Sequence, residues 1–321
     1  KYEPVSMTVA DLLEVLIGRL FYPIGKYDNW QCIPFLRGDA NTGKGTLLEI
    51  VGLMFPVSST GTITATQEAK FGLEAIFRKR VVFIPDLPRN MSQIIAQTDF
   101  QSMVSGESLS VARKNRIAVT GEKWTAGIFA AGNYLPDYSD NSGSISRRMV
   151  VFPFSTLVTE RNTDLKHQIV HDGELVTVMM RCIIRYREAC DRFRGLDFWT
   201  KIAPGALRVI QEDTKNETNY LANFLANGDG YYQVIHDPNC ITPFADLEKA
   251  FSNHMKFQHK IDKAKIGADR HPIKAAGFIV ETVHLCKTCH LQCSKSTCGT
   301  HYNAANRYRK LIVQNMRISH P

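Results

Sequence analysis

Over residues 8–22 (TVADLLEVLIGRLFY), Val9, Leu12, Leu13, Leu16, Ile17, Leu20 and Phe21 recur at three- and four-residue intervals. That spacing predicts a helix with one apolar face, and Thr8 stands where a cap belongs. The pattern then shortens. Ile33–Leu36, RVVFIPD ending at Asp86, GIFAAGN ending at Asn133 and SRRMVVFPF ending at Phe154 are short apolar runs of the kind that make buried strands. Gly45–Phe55 reads as a helix. Strands alternating with helices and loops from about residue 32 to 154 predict an α/β fold with a parallel-sheet core. Within it, SLSVARKNRIAVT predicts a β-hairpin with arms Ser108–Ala112 and Ile117–Thr120.

Beyond residue 160 the texture changes. ELVTVMMRCIIRYREACDRF and GALRVIQEDTKNETNYLANFLANG are long helical patterns with charged outer faces. A third texture follows the Gly-Asp-Gly turn at 228–230, with short helices, the apolar strand Gly277–Val283 and a cysteine-rich segment. These shifts predict four parts: an N-terminal helical segment (1–30), a core (31–156), a helical lid (157–232) and a small tail domain (233–321).

The segment GDANTGKGT, Gly38 to Thr46, joins the first predicted strand to the next helix. Gly38 and Gly43 permit a tight loop whose amides, with those of Asn41 and Thr42, turn inward. Lys44 then reaches β- and γ-phosphates at the positive end of the helix. Glycine at 45 stands where a serine or threonine usually supplies a hydroxyl to Mg²⁺. Either Thr46 takes that role or water fills the position. This is the pattern of a nucleotide triphosphate site, and ATP with Mg²⁺ is the expected ligand.

Two strand ends belong with it. Asp86 follows an apolar strand, where a carboxylate holds Mg²⁺ beside a phosphate loop. Its neighbours are Pro85 and Leu87, so no adjacent acid offers a general base. Asn133 ends another strand and can orient an attacking water. Arg147 and Arg148 open the strand after that. An arginine there is either a solvated edge or a finger reaching a neighbouring subunit's nucleotide.

Composition adds a partner class. Lys and Arg outnumber Asp and Glu by 39 to 31, a net charge of +8, which suits a polyanion. The predicted hairpin tip, Arg113-Lys114-Asn115-Arg116, concentrates three of those charges where nucleic-acid phosphates would relieve their repulsion. No apolar run approaches a membrane span, and no signal peptide is evident.

Cysteines at 32, 182, 190 and 240 are scattered, whereas 286, 289, 293 and 298 are packed together. Scattered thiols indicate a reducing compartment; the packed ones indicate metal. Cys286, Cys289, Cys298 and His301 form the expected Zn²⁺ set, with Cys293 as alternate. Past them, Asn306, Arg307, Arg309 and Lys310 read as the start of a basic helix.

Taken in order, the phosphate loop, single-acid strand, basic hairpin, Asn-ended strand and arginine pair resemble the superfamily 3 (AAA+-like) helicases of DNA viruses, phages and plasmids. SGESLSVARKNRIAV is similar to the papillomavirus helicase hairpin, which implies single-stranded DNA contact at Lys114 and Asn115. The same resemblance places the trans-acting arginine at Arg148, with Arg147 in reserve. Helical landmarks on either side of the core resemble the poxvirus-type and phage/plasmid primase-helicase branch, over roughly residues 10–280. The chain departs from the family at Gly45, at the lone Asp86 and at Asn115, where the family has histidine.

The resemblance implies a hexameric ring that hydrolyses ATP and moves along single-stranded DNA at replication forks. It also implies a winged-helix-like tail and, in many relatives, a primase domain upstream, with which a chain opening on Lys1 is compatible. The competing readings are an ATP-gated DNA-binding, origin-binding or packaging assembly that never unwinds DNA, and a DNA-binding module whose nucleotide pocket is degenerate.

Overall fold

The structure is a computed structural model that describes residues 7–64, 72–89, 91–113, 116–136, 138, 143–228, 231–259, 265–266, 271–286 and 307–319. The chain forms two compact units, Lys1–Thr218 and Asn219–Pro321.

In the first unit, α1 (Val9–Arg19) starts at a Thr8 cap. The Thr8 hydroxyl accepts from Asp11 N (3.1 Å), and the Asp11 carboxylate accepts from Thr8 N (3.2 Å), a reciprocal pair that satisfies two otherwise unpaired amides. After β1 (Ile33–Arg37) come α2 (Lys44–Leu53), β2 (Thr60–Thr62), β3 (Val81–Ile84) and α3 (Gln97–Ser105). The hairpin β4 (Ser108–Arg113) and β5 (Arg116–Lys123) precedes β6 (Gly127–Gly132) and β7 (Met149–Pro153). Three helices complete the unit: α4 (Leu165–His171), α5 (Glu174–Arg192) and α6 (Gly205–Thr218).

Five strands make one parallel sheet in the order β2-β3-β6-β1-β7. Because side chains alternate across a strand, each run supplies both faces. Leu36, Phe83, Phe129, Val150 and Phe152 join the core under α1, α2 and α5. Phe35, Val82, Ile84, Ile128 and Val151 join a second core with Phe100 and Met103 of α3 and with Leu109 and Val111 of the hairpin. A sheet buried on both faces needs continuous apolar strands, which these are.

The first helix is built into this unit rather than appended to it. It packs along α5 so closely that a Cβ on Gly18 would lie 2.0 Å from the Cys182 carbonyl oxygen. A buried ion pair locks the arrangement. Arg19 donates to both Asp28 oxygens (2.8 and 3.0 Å) and to the carbonyls of Cys32 (2.8 Å) and Trp30. Tyr186 of α5 donates to the same carboxylate at 2.6 Å. Burying a charge is costly unless it is paired and hydrogen-bonded, and this network gives Arg19 a counter-charge and engages four of its five N–H groups.

The second unit consists of α7 (Tyr220–Asn227), β8 (Gln233–Pro243), α8 (Phe244–His259), α9 (His271–Ala275), β9 (Ile279–Cys286) and β10 (Arg307–Ser319). Its sheet is antiparallel, in the order β8-β10-β9. Phe224, Leu247, Phe251, Ile273, Val313 and Met316 form its core. The division after Thr218 falls inside the stretch 157–232. The basic helix expected from Asn306 onward is corrected: Arg307, Arg309 and Lys310 lie on β10. Paired on both sides, that strand completes a sheet that a helix would leave open.

Candidate functional site

The phosphate loop is shaped by two glycines with different tasks. At Gly38 the loop leaves β1 against β7, and an added Cβ would stand 2.0 Å from the Phe154 carbonyl oxygen. Gly43 has φ 89°, a left-handed conformation that side chains disfavour, and it caps α2 without a side-chain hydrogen bond. The first amides of α2 therefore lack a side-chain acceptor, and an anion can cap them. Asn41 also adopts positive φ (63°), which asparagine tolerates better than most residues.

Lys44 is buried, with 9% of its surface exposed. Its Nζ donates to the carbonyls of Gly38 (2.7 Å) and Asp39 (2.6 Å) and approaches the Thr42 hydroxyl at 3.4 Å. Thr42 itself donates to Asp39 O at 2.8 Å. Among the described residues no carboxylate pairs with this ammonium. The loop thus holds a cation neutralised only by carbonyl dipoles, which favours capture of an anion. Gly45 and Thr46 are exposed on the first turn of α2, and a Cβ at 45 would meet open space.

The sheet carries the other candidate residues to the same edge. Arg37 is level with Gly132, and Ile84 with Ala130. Beyond the strands, Gly38 N donates to Gly132 O (3.2 Å) and Leu87 N to Ala131 O (2.7 Å). Gly38, Asn133 and Asp86 thus leave three neighbouring strands at one level, with strand spacing of about 5 Å. Asp86 and Asn133 are both exposed there, and Asp86 makes no ion pair among the described residues.

The arginine pair occupies the opposite edge. Met149 is level with Ile33 and Pro153 with Arg37, so the strand start that the pair immediately precedes lies about 16 Å along the strands from Gly38. The two side chains differ in setting. Arg148 is buried and donates to Ser144 O (2.7 Å) and Ser105 Oγ (3.2 Å). Arg147 is exposed, and its carbonyl accepts from the Trp199 indole at 2.7 Å.

At the hairpin, Arg113 is directly opposite Arg116 in the ladder. Lys114 and Asn115 lie outside the described residues. So do Cys289, Cys293, Cys298 and His301, while Cys286 ends β9 opposite Arg307.

One wall of the site was not legible in the sequence. Segment 158–166 runs beside the loop and α2, enclosing a cleft of about 640 Å³. Val158 N donates to Asn41 O at 2.9 Å, Arg161 bonds the Asn41 side chain, and Lys166 pairs with Glu49. VTERNTDLK carries no apolar period, and its Asn-Thr-Asp cluster marks a turn without saying what that turn packs against.

Residues 36–148 match the model of a family of unknown function (DUF5906), a span that contains the phosphate loop, Asp86, the hairpin, Asn133 and both arginines. Among solved structures, the apo C-terminal region of NrS-1 (residues 305–718) aligns at 18% identity and TM-score 0.41, over 71% of this chain. The chain spans 59% of that structure's length. Another apo form of the NrS-1 C-terminal region aligns over 98% of this chain and 77% of its own, at 14% identity and TM-score 0.41. JCV helicase aligns at 13% identity and TM-score 0.34, over 69% of this chain and 66% of its own. No helix among the described residues is long and apolar enough to cross a membrane.

Proposed function

We propose that the chain is the ATPase motor of a superfamily 3 DNA helicase, which assembles head to tail into a hexameric ring around single-stranded DNA. The observation that carries this reading is the loop itself. A helix start without a side-chain cap and a buried Lys44 with no carboxylate partner among the described residues stand at the edge where Asp86 and Asn133 also emerge. Lys44 and the amides of Gly38, Asn41, Thr42 and Gly43 bind the β- and γ-phosphates. Asp86 and Thr46 offer a carboxylate and a hydroxyl, the hard oxygen donors that suit Mg²⁺, which when bound neutralises phosphate charge. Asn133 orients the attacking water.

The separation of the two ends of the sheet supports a ring. An arginine preceding a strand start about 16 Å from its own phosphate loop cannot serve that loop, but it can serve the next subunit's in a head-to-tail contact. Arg147, being exposed, takes that role in this proposal, and Arg148 supports it from within. Lys114 and Asn115, with Arg113 and Arg116, contact the DNA backbone from the hairpin. Cys286, Cys289, Cys298 and His301, with Cys293 as alternate, are a soft donor set that suits a structural Zn²⁺ in a winged-helix-like second unit. An upstream primase domain and action at replication forks complete the proposal.

The test is phosphate release from ATP, with and without single-stranded DNA. Wild type hydrolyses ATP, DNA stimulates it, Lys114→Ala loses the stimulation, and Lys44→Ala neither binds nor hydrolyses ATP. Arg147→Ala binds ATP normally and turns over about 10³-fold more slowly or less. Mixing Arg147→Ala with Lys44→Ala protein restores part of the rate, since mixed interfaces pair an intact loop with an intact arginine. Absence of rescue at every mixing ratio refutes action in trans. ATP binding without turnover under any DNA favours the nucleotide-gated DNA-binding assembly, a reading that the bare Gly45 and the solitary Asp86 support.

A further inference from the structure

The cleft beside Lys44 extends past the phosphates' place, and two anchors define its course. Asn41 holds Val158 and Arg161 at the loop, and Glu49 holds Lys166 further along α2. Between these anchors each wall presents aliphatic side chains, beside the polar Thr46, Asn162 and Thr163. Leu47 and Ile50 lie about 4.5 and 9 Å along the helix axis from Lys44. Val158 and Leu165 face the same cleft from the other side, 42% and 37% exposed. Exposed aliphatic side chains on both sides of an anion site are what the flat, apolar faces of a nucleobase would cover. A cleft of about 640 Å³ is in the ordinary range for such a ligand.

Most of the polar side chains along this cleft already have partners. Asn41 is engaged with Arg161 and Glu49 with Lys166. Asn162 donates to Gln168 and accepts from Asp164 N, both at 3.0 Å. All of these side chains are exposed, so none presents a fixed, desolvated donor or acceptor to the edge of a base.

We infer that this cleft is the nucleobase subsite, and that it takes purine and pyrimidine nucleoside triphosphates alike, gripping the faces of the base without reading its edge. The inference rests on the nucleotide reading above and supplies its substrate class. Aliphatic walls discriminate between ligands by factors of about 10 to 200, whereas a buried hydrogen-bonding site reaches about 10⁴.

Titration calorimetry with ATP, GTP, CTP, UTP and inorganic tripolyphosphate, each with Mg²⁺, tests this on wild type, on Lys44→Ala and on the double variant Val158→Ser/Leu165→Ser. Both replaced residues are substantially exposed, so the fold tolerates them. The four nucleotides bind wild type within about tenfold of one another. The double variant weakens all four by about tenfold and leaves tripolyphosphate unchanged. A preference of about 10³ for one base, or a double variant that binds nucleotides like wild type, overturns the inference while Lys44-dependent tripolyphosphate binding keeps the nucleotide site. If neither nucleotides nor tripolyphosphate bind in a Lys44-dependent way, the nucleotide site falls as well.

Discussion

Gly38→Ala and Gly45→Ala put the same methyl group at two ends of one loop, and the structure assigns them opposite signs. At Gly38 the new carbon would lie 2.0 Å from the Phe154 carbonyl oxygen and 2.8 Å from its carbon. Carbon–oxygen contacts settle at about 3.3–3.6 Å, so the loop and β7 must part by more than about 1 Å. The hydrogen bond from Phe154 N to Arg37 O, 2.7 Å long, closes that end of the ladder and is lost when they separate. Forced overpacking costs about 1–3 kcal/mol and the broken bond about 1 more, a loss of about 2–4 kcal/mol. At Gly45 nothing lies within 4 Å, the site is exposed, and the residue is the second of α2. There alanine lowers the entropy lost on forming the helix and gains about 0.5–1 kcal/mol. Urea unfolding followed by tryptophan fluorescence reads the difference cleanly, because Trp30, Trp124 and Trp199 all belong to the unit Lys1–Thr218. Gly38→Ala also weakens ATP binding, since the displaced loop no longer presents its amides, whereas Gly45→Ala retains it. A Gly38→Ala protein with the wild-type midpoint and affinity would refute the close approach on which the argument depends.

Two further outcomes concern the clamp between α1 and α5. Asp28→Asn leaves Arg19 buried without its counter-charge and costs about 3–5 kcal/mol in the same unfolding assay. Tyr186→Phe removes one hydrogen bond to that carboxylate and costs about 1.5–3 kcal/mol. At the helix start, the Thr8 hydroxyl, then Arg185, hold the Asp11 carboxyl below the usual range. A depressed folded value means the stabilisation is full above the unfolded value near pH 4 and disappears as pH falls through the folded one. Asp11→Asn therefore flattens the acid limb of the stability curve below about pH 4, and an unchanged limb counts against that role.

Legibility from sequence followed the range of the forces involved. The strand Ile33–Leu36, the loop and its helix are readable because an apolar run, two glycines and a lysine act within a few residues of one another. The packing of α1 on α5 is not, since the partners are brought together only by burial. Two adjacent arginines carry no sign of which faces inward; the turn Ser146–Arg148 decides it by burying Arg148. The basic helix start expected at Asn306–Lys310 belongs instead to β10, because its strand partner is residues 283–286 of β9, too far back in the chain to leave a local mark. Further along the same strand, a bulge at Asn315, φ 62°, shifts the register between Gln314 and Met316.

The clamp also sets a timetable for synthesis. Arg181 bonds Glu14 and Arg185 bonds Asp11, pairs 167 and 174 residues apart. At about 5–20 residues per second, α1 leaves the ribosome roughly 10–30 s before its partner exists. Throughout that interval Leu12, Val15, Leu16 and Ile17, all buried in the finished unit, lack the cover that α5 gives them. The nascent chain consequently carries a sticky amphipathic helix while the five-strand sheet assembles behind it. The arrival of α5 completes the burial of that helix.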